Sequence, residues 1–234
     1  MHGAFHPITL IERVAISALG DMGFDIVDAP EIDTAWYNFD SLRMVEGHPA
    51  RDSHASFWLK DGRLLRTHTT NMQLHVSEQL RPPFRVMHFG PCYRNDATDT
   101  THDIVFNQLD ALAIDDTITF SNLLATLETF VTRVFGPETK YRLRPHNFPF
   151  TEPSIEVDIW HNEAWIELLG AGMVHPDVLR HMRIDPEEYS GLAFGVAAIS
   201  LFLANSRSKK DSGTTLDPSK AAVQAWTNAD KATA

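Results

Sequence analysis

Cysteine is nearly absent: one residue, Cys92, occurs in 234. A single thiol excludes an intrachain disulfide framework and any cysteine-rich zinc site, and Cys92 reads as a small buried apolar residue. Long hydrophobic runs are also missing. No stretch approaches the roughly 20 apolar residues that span a bilayer, and the opening Met1-His2-Gly3-Ala4-Phe5-His6-Pro7 lacks the charged and apolar regions of a secretory signal. The expectation is a soluble, cytoplasmic chain with no membrane partner. Positive charge is in deficit, with a formal net charge of −11. That argues against broad adhesion to phosphate backbones, which needs a basic surface, so an RNA substrate would need another chain to help hold it. The 12 histidines show no HExxH pair or comparable ligand frame, which sets zinc aside.

What is present fits one domain: 43% of the residues are apolar and 22% charged, enough for one adequate core. Leu10, Ile11, Val14, Ala18, Leu19 and Met22 recur at helical spacing and predict a helix over 8–22 that stops at Gly23. Residues 34–63 scatter aromatics among His, Asp and Gly without a period, which predicts an irregular segment with short strands. Residues 84–94 and 103–115 read as strands of a long antiparallel hairpin. Phe120, Leu123, Leu124, Leu127, Phe130, Val131 and Val134 predict a second amphipathic helix ending at Gly136-Pro137. Ile155, Val157 and Ile159 alternate with Glu156, Asp158 and Trp160 as a strand, and another runs over 164–169. Gly170-Ala171-Gly172 is predicted to close that strand in a turn, and Gly191-Leu192-Ala193-Phe194-Gly195 to form a second turn before an apolar helix over 196–204. Residues 205–234, rich in Ser, Lys, Asp and Thr, read as a mostly disordered tail, leaving 1–204 as the core. Hairpin-connected strands grouped between helices predict an α+β fold, an antiparallel sheet with helices packed on it.

The most informative stretch is Phe106-Asn107-Gln108-Leu109-Asp110-Ala111-Leu112. Strand alternation puts Phe106, Gln108, Asp110 and Leu112 on one face. Burying an amide or carboxylate without a partner costs on the order of 1–3 kcal/mol, so such a face meets a polar ligand or an internal network; a ligand ammonium would satisfy both groups. The alternative is a solvent-facing strand with a bulge. Arg94, where the preceding strand enters a polar turn, could clamp a carboxylate or phosphate or be a surface residue. Glu152, Glu156 and Glu167 could coordinate Mg2+ bridging nucleotide phosphates or be solvated. Phe148-Pro149-Phe150 offers two rings for an apolar pocket or for core packing.

Many short stretches then line up with one family. They are Gly3-x-x-His6-Pro7, Gly23-Phe24 through Pro30-Glu31-Ile32, Asn38-Phe39-Asp40, and His48-Pro49-Ala50-Arg51-Asp52. Leu65-Arg66-Thr67-His68-Thr69, Tyr93-Arg94-Asn95-Asp96 and His102-x-x-x-Phe106-x-Gln108 follow. Phe148-Pro149-Phe150-Thr151-Glu152-Pro153-Ser154 and Gly170-Ala171-Gly172-Met173-Val174-His175-Pro176 complete the set. In order and spacing the chain resembles, over about residues 3–196, the catalytic core of the phenylalanine–tRNA ligase alpha chain, a class II aminoacyl-tRNA synthetase.

The resemblance implies a class II antiparallel sheet that activates phenylalanine with ATP and passes the acyl group to tRNA. By position, Arg94 matches the arginine on the ATP α-phosphate and the amino-acid carboxylate, His102 the histidine near the phosphates, and Phe106 the ring stacked on adenine. Gln108 and Asp110, with His68 and Thr70, match the groups that hold the ammonium. Phe148 and Phe150 match the walls of the ring pocket and Ala193 its floor. Asp110 stands where the family has glutamate, Thr70 where serine is usual, and Ala29 and Ala111 replace glycines. Ser200 falls where the family's third-motif arginine grips the γ-phosphate. The family's helical arm for tRNA and an anticodon-binding domain have no counterpart here, so tRNA charging is expected to need a partner chain like the family's beta subunit. A homodimer or heterotetramer is expected, with Gly23 to Ile32 at a subunit interface. The competing reading is a synthetase-derived pseudoenzyme that binds an aromatic amino acid without charging tRNA.

Overall fold

The computed structural model describes residues 7–51, 55–95, 104–161 and 163–196. His102, Ser200, the helix predicted over 196–204 beyond Val196, and the tail lie outside the described residues.

The centre of the fold is a seven-stranded sheet in the order β1-β4-β5-β9-β8-β7-β6. Its strands are β1 (Asp25–Ile26), β4 (Phe84–Tyr93), β5 (Val105–Asp115), β6 (Tyr141–His146), β7 (Thr151–His161), β8 (Ala164–Val174) and β9 (Ser190–Val196). Only β1 pairs in parallel, with β4; every other neighbour is antiparallel. A two-stranded ribbon of β2 (Ile32–Asp33) and β3 (Leu64–Leu65) stands beside it. The predicted hairpin is β4–β5, paired continuously from Phe84↔Ile114 to Tyr93↔Val105. No bulge interrupts that register, so β5 alternates faithfully between two faces.

One face of the sheet is covered by α1 (Pro7–Gly20) and α4 (Phe120–Phe135). Leu109, Ala111 and Ala113 of β5, Val157 and Ile159 of β7, and Leu192 and Phe194 of β9 pack there against Leu19, Leu123, Leu127 and Phe130. Burying each large side chain in such a layer contributes about 1.5–3 kcal/mol before entropy is subtracted. The other face carries a smaller core in which Leu112, Ile114 and Ala193 meet Met72 and Leu74 of α3 (Met72–Gln79) and Val178 and Leu179 of α5 (Pro176–His181). That second core covers only part of its face, and the remainder carries the polar residues described below.

Both predicted amphipathic helices are present, α1 ending before Gly23, whose φ of 83° supplies the left-handed stop. The irregular 34–63 segment contains α2 (Ala35–Asn38) and two short 3-10 turns. Two expectations are corrected. Gly170-Ala171-Gly172 is not a turn but the interior of β8, and Gly191 to Gly195 lies within β9. Added Cβ atoms at Gly170, Gly172, Gly191 and Gly195 would stand 2.5, 2.5, 2.4 and 2.3 Å from neighbouring side chains. These glycines give space rather than a bend. β6, α3 and α5 are additions the periodicity did not signal.

Thr119 starts α4 with a reciprocal cap: its Oγ1 accepts from the Asn122 backbone N–H, and its own N–H donates to Asn122 Oδ1 at 2.8 Å. Thr119→Ala should therefore cost about 1 kcal/mol and Thr119→Ser much less. Urea unfolding should show the difference in midpoint at unchanged slope.

Candidate functional site

Above the uncovered part of the sheet lies a cavity of about 280 Å³, at the small end of ligand pockets, which run to roughly 300–1,000 Å³. Its floor is the sheet itself. Gly170 and Glu167 of β8 and Ala193 and Gly195 of β9 face it, and beside them β5 presents Gln108 and Asp110. Phe148 and Phe150 form a wall with rings stacked 5.6 Å apart. Phe148 lies directly over Gly170, where a Cβ would come within 2.5 Å of its ring.

The loop between β3 and α3 supplies the opposite side. Thr69 and Thr70 donate their hydroxyls to Asp110 Oδ2, Thr70 at 3.1 Å, and Gln108 Nε2 donates to the same oxygen at 3.2 Å. Three donors on one oxygen leave Oδ1 without a hydrogen bond among the described residues. The carboxyl is only 4% exposed, and burial pushes its pKa up to about 6 although the three hydrogen bonds pull it down. His68 is also buried, and among the described residues neither ring nitrogen has a hydrogen-bond partner. Burial, then the nearby Arg94, holds it down to about 3, so it faces the cavity as a neutral ring. Cys92, buried behind these groups, is pushed up to about 12 by burial and is not a nucleophile.

Arg94 follows β4 directly. Its Nε donates to Thr67 O at 3.2 Å, and its guanidinium lies 4.6 Å from the centroid of the Phe106 ring. A flat cation on a flat ring is held in plane by the contact, and Arg94 also lines the cavity. One concavity therefore holds a guanidinium, a carboxylate with an open oxygen, a neutral imidazole and an aromatic wall. Such a set can bind a small zwitterion with an apolar side chain: carboxylate to Arg94, ammonium to Asp110, side chain to the phenylalanines.

The class II core domain of tRNA synthetases, type F, matches residues 1–203. The chain belongs to that family. The phenylalanine–tRNA ligase alpha subunit of Alkaliphilus oremlandii (strain OhILAs) is 45% identical over 206 residues, which are 83% of this chain and 61% of that protein. The alpha subunit from Pectobacterium carotovorum subsp. carotovorum (strain PC1) is 46% identical over 197 residues, 83% of this chain and 60% of its own. The chain thus spans about three-fifths of the length of the curated relatives it matches. The fold is also that of a solved pyrrolysyl-tRNA synthetase from Desulfitobacterium hafniense. The TM-score is 0.65 at 17% identity, covering 90% of this chain and 75% of the other.

In this class II core the predicted site residues His68, Thr70, Arg94, Gln108, Asp110, Phe148, Phe150 and Ala193 all line one cavity, with Phe106 packed beneath Arg94. The three glutamates do not converge. Glu152 is 77% exposed beside His175, whereas Glu156 and Glu167 both face Arg144, at 2.7 and 3.7 Å. Among the described residues no group of three His, Cys, Asp or Glu is placed to hold a metal ion. Glu156 and Glu167 are the two of the three that lie close together, around Arg144, and magnesium binds through one or two carboxylates plus substrate phosphates. The pKa of Glu167 is raised by burial and then by Glu156, and Arg144, which faces both carboxylates, pulls it back down. Sequence reasoning missed Thr69, Gln73 and Gly195; a hydroxyl beside a predicted ammonium site was the available signal for Thr69.

Asp110 also marks the stability of the core. Its folded pKa of about 6 lies above the ordinary 3.8, so the folded chain holds the proton more tightly. The resulting stability is complete below pH 4 and is lost as pH rises through 6. At about 1.4 kcal/mol per unit, wild type should lose on the order of 2–3 kcal/mol relative to Asp110→Asn between pH 4 and 7. Urea unfolding of both chains at the two pH values checks this.

Proposed function

We propose that this chain is the catalytic core of a phenylalanine–tRNA ligase alpha subunit, which joins phenylalanine to ATP as phenylalanyl-adenylate and hands the acyl group to tRNA. The observation that carries the reading is the Asp110–Gln108 pair, buried and with one carboxylate oxygen open, facing two stacked phenylalanines across a small cavity. Asp110 Oδ1 receives the ammonium, Phe148, Phe150 and Ala193 receive the ring, and Arg94 orients the carboxylate. One carboxylate oxygen attacks the α-phosphorus of ATP. The bond to the bridging oxygen breaks and its electron pair leaves with pyrophosphate. Negative charge grows on the α-phosphate oxygens, where the Arg94 guanidinium, held flat on Phe106, needs no reorganisation to stabilise it. Glu156 and Glu167 would hold Mg2+, which neutralises the departing phosphates. His102 and the adenine-stacking role of Phe106 complete the proposed nucleotide site. This reading places the chain in the cytoplasm, with a beta subunit as partner to hold tRNA. A second reading, amino-acid binding without turnover, rests on Ser200 in place of a phosphate-gripping arginine.

Phenylalanine-dependent exchange of labelled pyrophosphate into ATP decides between the two. Exchange by the purified chain, lowered about a hundredfold or more in Arg94→Ala, is the expected result; binding of phenylalanine without exchange would establish the second reading. Binding should also depend on pH in one direction. The ammonium needs ionised Asp110, so affinity should fall about tenfold per unit once pH drops below about 6. His68, held at about 3, stays neutral throughout. Calorimetry from pH 5 to 8 should give this profile for wild type and a flat, weaker one for Asp110→Asn.

A further inference from the structure

Arg66 is the anomaly of the fold. It is an arginine with 1% exposure, and among the described residues no carboxylate lies within ion-pair distance of it. A buried guanidinium is tolerated when its N–H groups are hydrogen-bonded. Here Nε donates to Pro91 O at 2.8 Å and Nη1 to Ala29 O at 2.9 Å, with His88 Nε2 2.7 Å from Nη1. The tautomer of His88 follows: Nδ1 lies 2.9 Å from Val27 O, which can only accept, so Nδ1 carries the proton and Nε2 accepts from Arg66. Gly90 exists to admit this side chain, since a Cβ there would stand 2.2 Å from Arg66 Nη2.

The location is specific. Gly90 pairs with Gln108 and His88 with Asp110 across β4 and β5, so the guanidinium sits on the site face directly behind the amide–carboxylate pair. The Arg66 backbone is tied on both sides, N–H to Glu31 O at 2.8 Å and O from Tyr93 N–H at 2.9 Å. The four residues that follow are all used by the site. Thr67 O holds Arg94, His68 lines the cavity, and Thr69 and Thr70 bind Asp110.

We propose that Arg66 is the positioning residue of this site: its guanidinium pins loop 67–70 between segment 25–33 and β4, and sets a fixed positive charge behind Gln108 and Asp110. It touches no substrate. Asp110 is bonded by Thr69, Thr70 and Gln108, pairs with His88 of β4, feels the charge of Arg66 and lies near Cys92, and shares the cavity with His68, Arg94 and Glu167. Of these, His68 and His88 are neutral because burial lowers them, and Cys92 because burial raises it. Its effect on phenylalanine binding rests on the function proposed above, but the pinning and the charge do not.

The test is therefore made first without ligand. The Asp110 carboxyl carbon is titrated by NMR in wild type, Arg66→Met, Arg66→Lys and Gly90→Ala, with Asp110→Asn to assign the signal, and hydrogen exchange is followed at Thr69 and Thr70. In folded Arg66→Met the Asp110 midpoint should rise, as expected for loss of an opposite charge that lowers it, and the loop amides should lose protection. Gly90→Ala pushes the guanidinium aside but keeps its charge; it should loosen the loop and move the midpoint less. Arg66→Lys should keep the midpoint close to wild type and loosen the loop. An unchanged midpoint in Arg66→Met overturns the electrostatic role, and unchanged protection overturns the pinning. If Arg66→Met does not fold, wild-type protection in both Gly90→Ala and Arg66→Lys overturns the proposal. Phenylalanine titration of the folded variants then adds an expected loss of about tenfold, the scale of one charge-assisted hydrogen bond. Failure of wild type to bind phenylalanine would refute the proposed function and leave the ligand-free result standing.

Discussion

Strand β5 must satisfy two incompatible surroundings, and the rest of the structure is arranged so that it can. Leu109, Ala111 and Ala113 go under the helices, while Gln108 and Asp110 face the cavity. A slip of one residue would put the carboxylate into the helix-side core and the leucine into the site. The long uninterrupted pairing with β4, and that with β9 on the other side, prevents this. Keeping Asp110 at its position then requires donors, and the donors require a loop. Thr69 and Thr70 lie on that loop, Arg66 begins it, and Arg66 requires a glycine at 90. The site is a sequence of such dependencies, each forced by a polar group that water cannot reach.

The cavity exists because the central strands are bare. In most sheets the face opposite the helices is filled by side chains; here Gly170, Gly172, Ala193 and Gly195 lie side by side on β8 and β9. Alanine at 195 would meet Asp110 Oδ1 at 2.3 Å, and alanine at 170 would strike the Phe148 ring. The aromatic wall and the carboxylate are thus both seated on missing side chains. Glycine weakens a strand by entropy and lost packing, and the flanking strands β5 and β7, rich in Leu, Ile and Val, offset that loss on the helix side.

This explains what could and could not be read from the sequence. α1 and α4 were legible because each pairs one apolar face with one polar face, and period alone reveals that; the β4–β5 hairpin, apolar on both faces around Val86, Leu112 and Ile114, was legible as two strand-like runs joined by a polar stretch. The placing of Gln108 and Asp110 on one face, which the structure turns toward the cavity, was legible from strand alternation. The glycines of β8 and β9 were misread as turns because glycine punctuates the chain locally, and its use as empty space depends on side chains such as Asp110 and Phe148 that are far off in sequence. α3 and α5 escaped notice because they are short; the first half of α3 is buried on nearly every side, Met72, Gln73 and Leu74 in succession, and shows no apolar stripe. Arg66 lay in the matched stretch Leu65-Arg66-Thr67-His68-Thr69, but nothing in that stretch signalled burial. An arginine reads as surface, and only the carbonyls of Ala29 and Pro91 make it a core residue.

The same burial explains why the site should discriminate well. Asp110 in water would pair weakly with any cation; dried by Thr69, Thr70 and Gln108, it carries an unmet demand that a well-placed ammonium satisfies and a neutral isostere cannot. His68 acts in the opposite sense, since a ring kept neutral by burial and by Arg94 adds no competing positive charge beside the ammonium. Arg94 lies against the Phe106 ring, which holds its guanidinium flat at the edge of the cavity. The free core is therefore less stable near neutral pH than its packing alone would allow, because among the described residues an ionised Asp110 has no cation in contact. Occupation by an ammonium would return part of that stability as binding energy and so couple folding of this face to occupancy of the cavity.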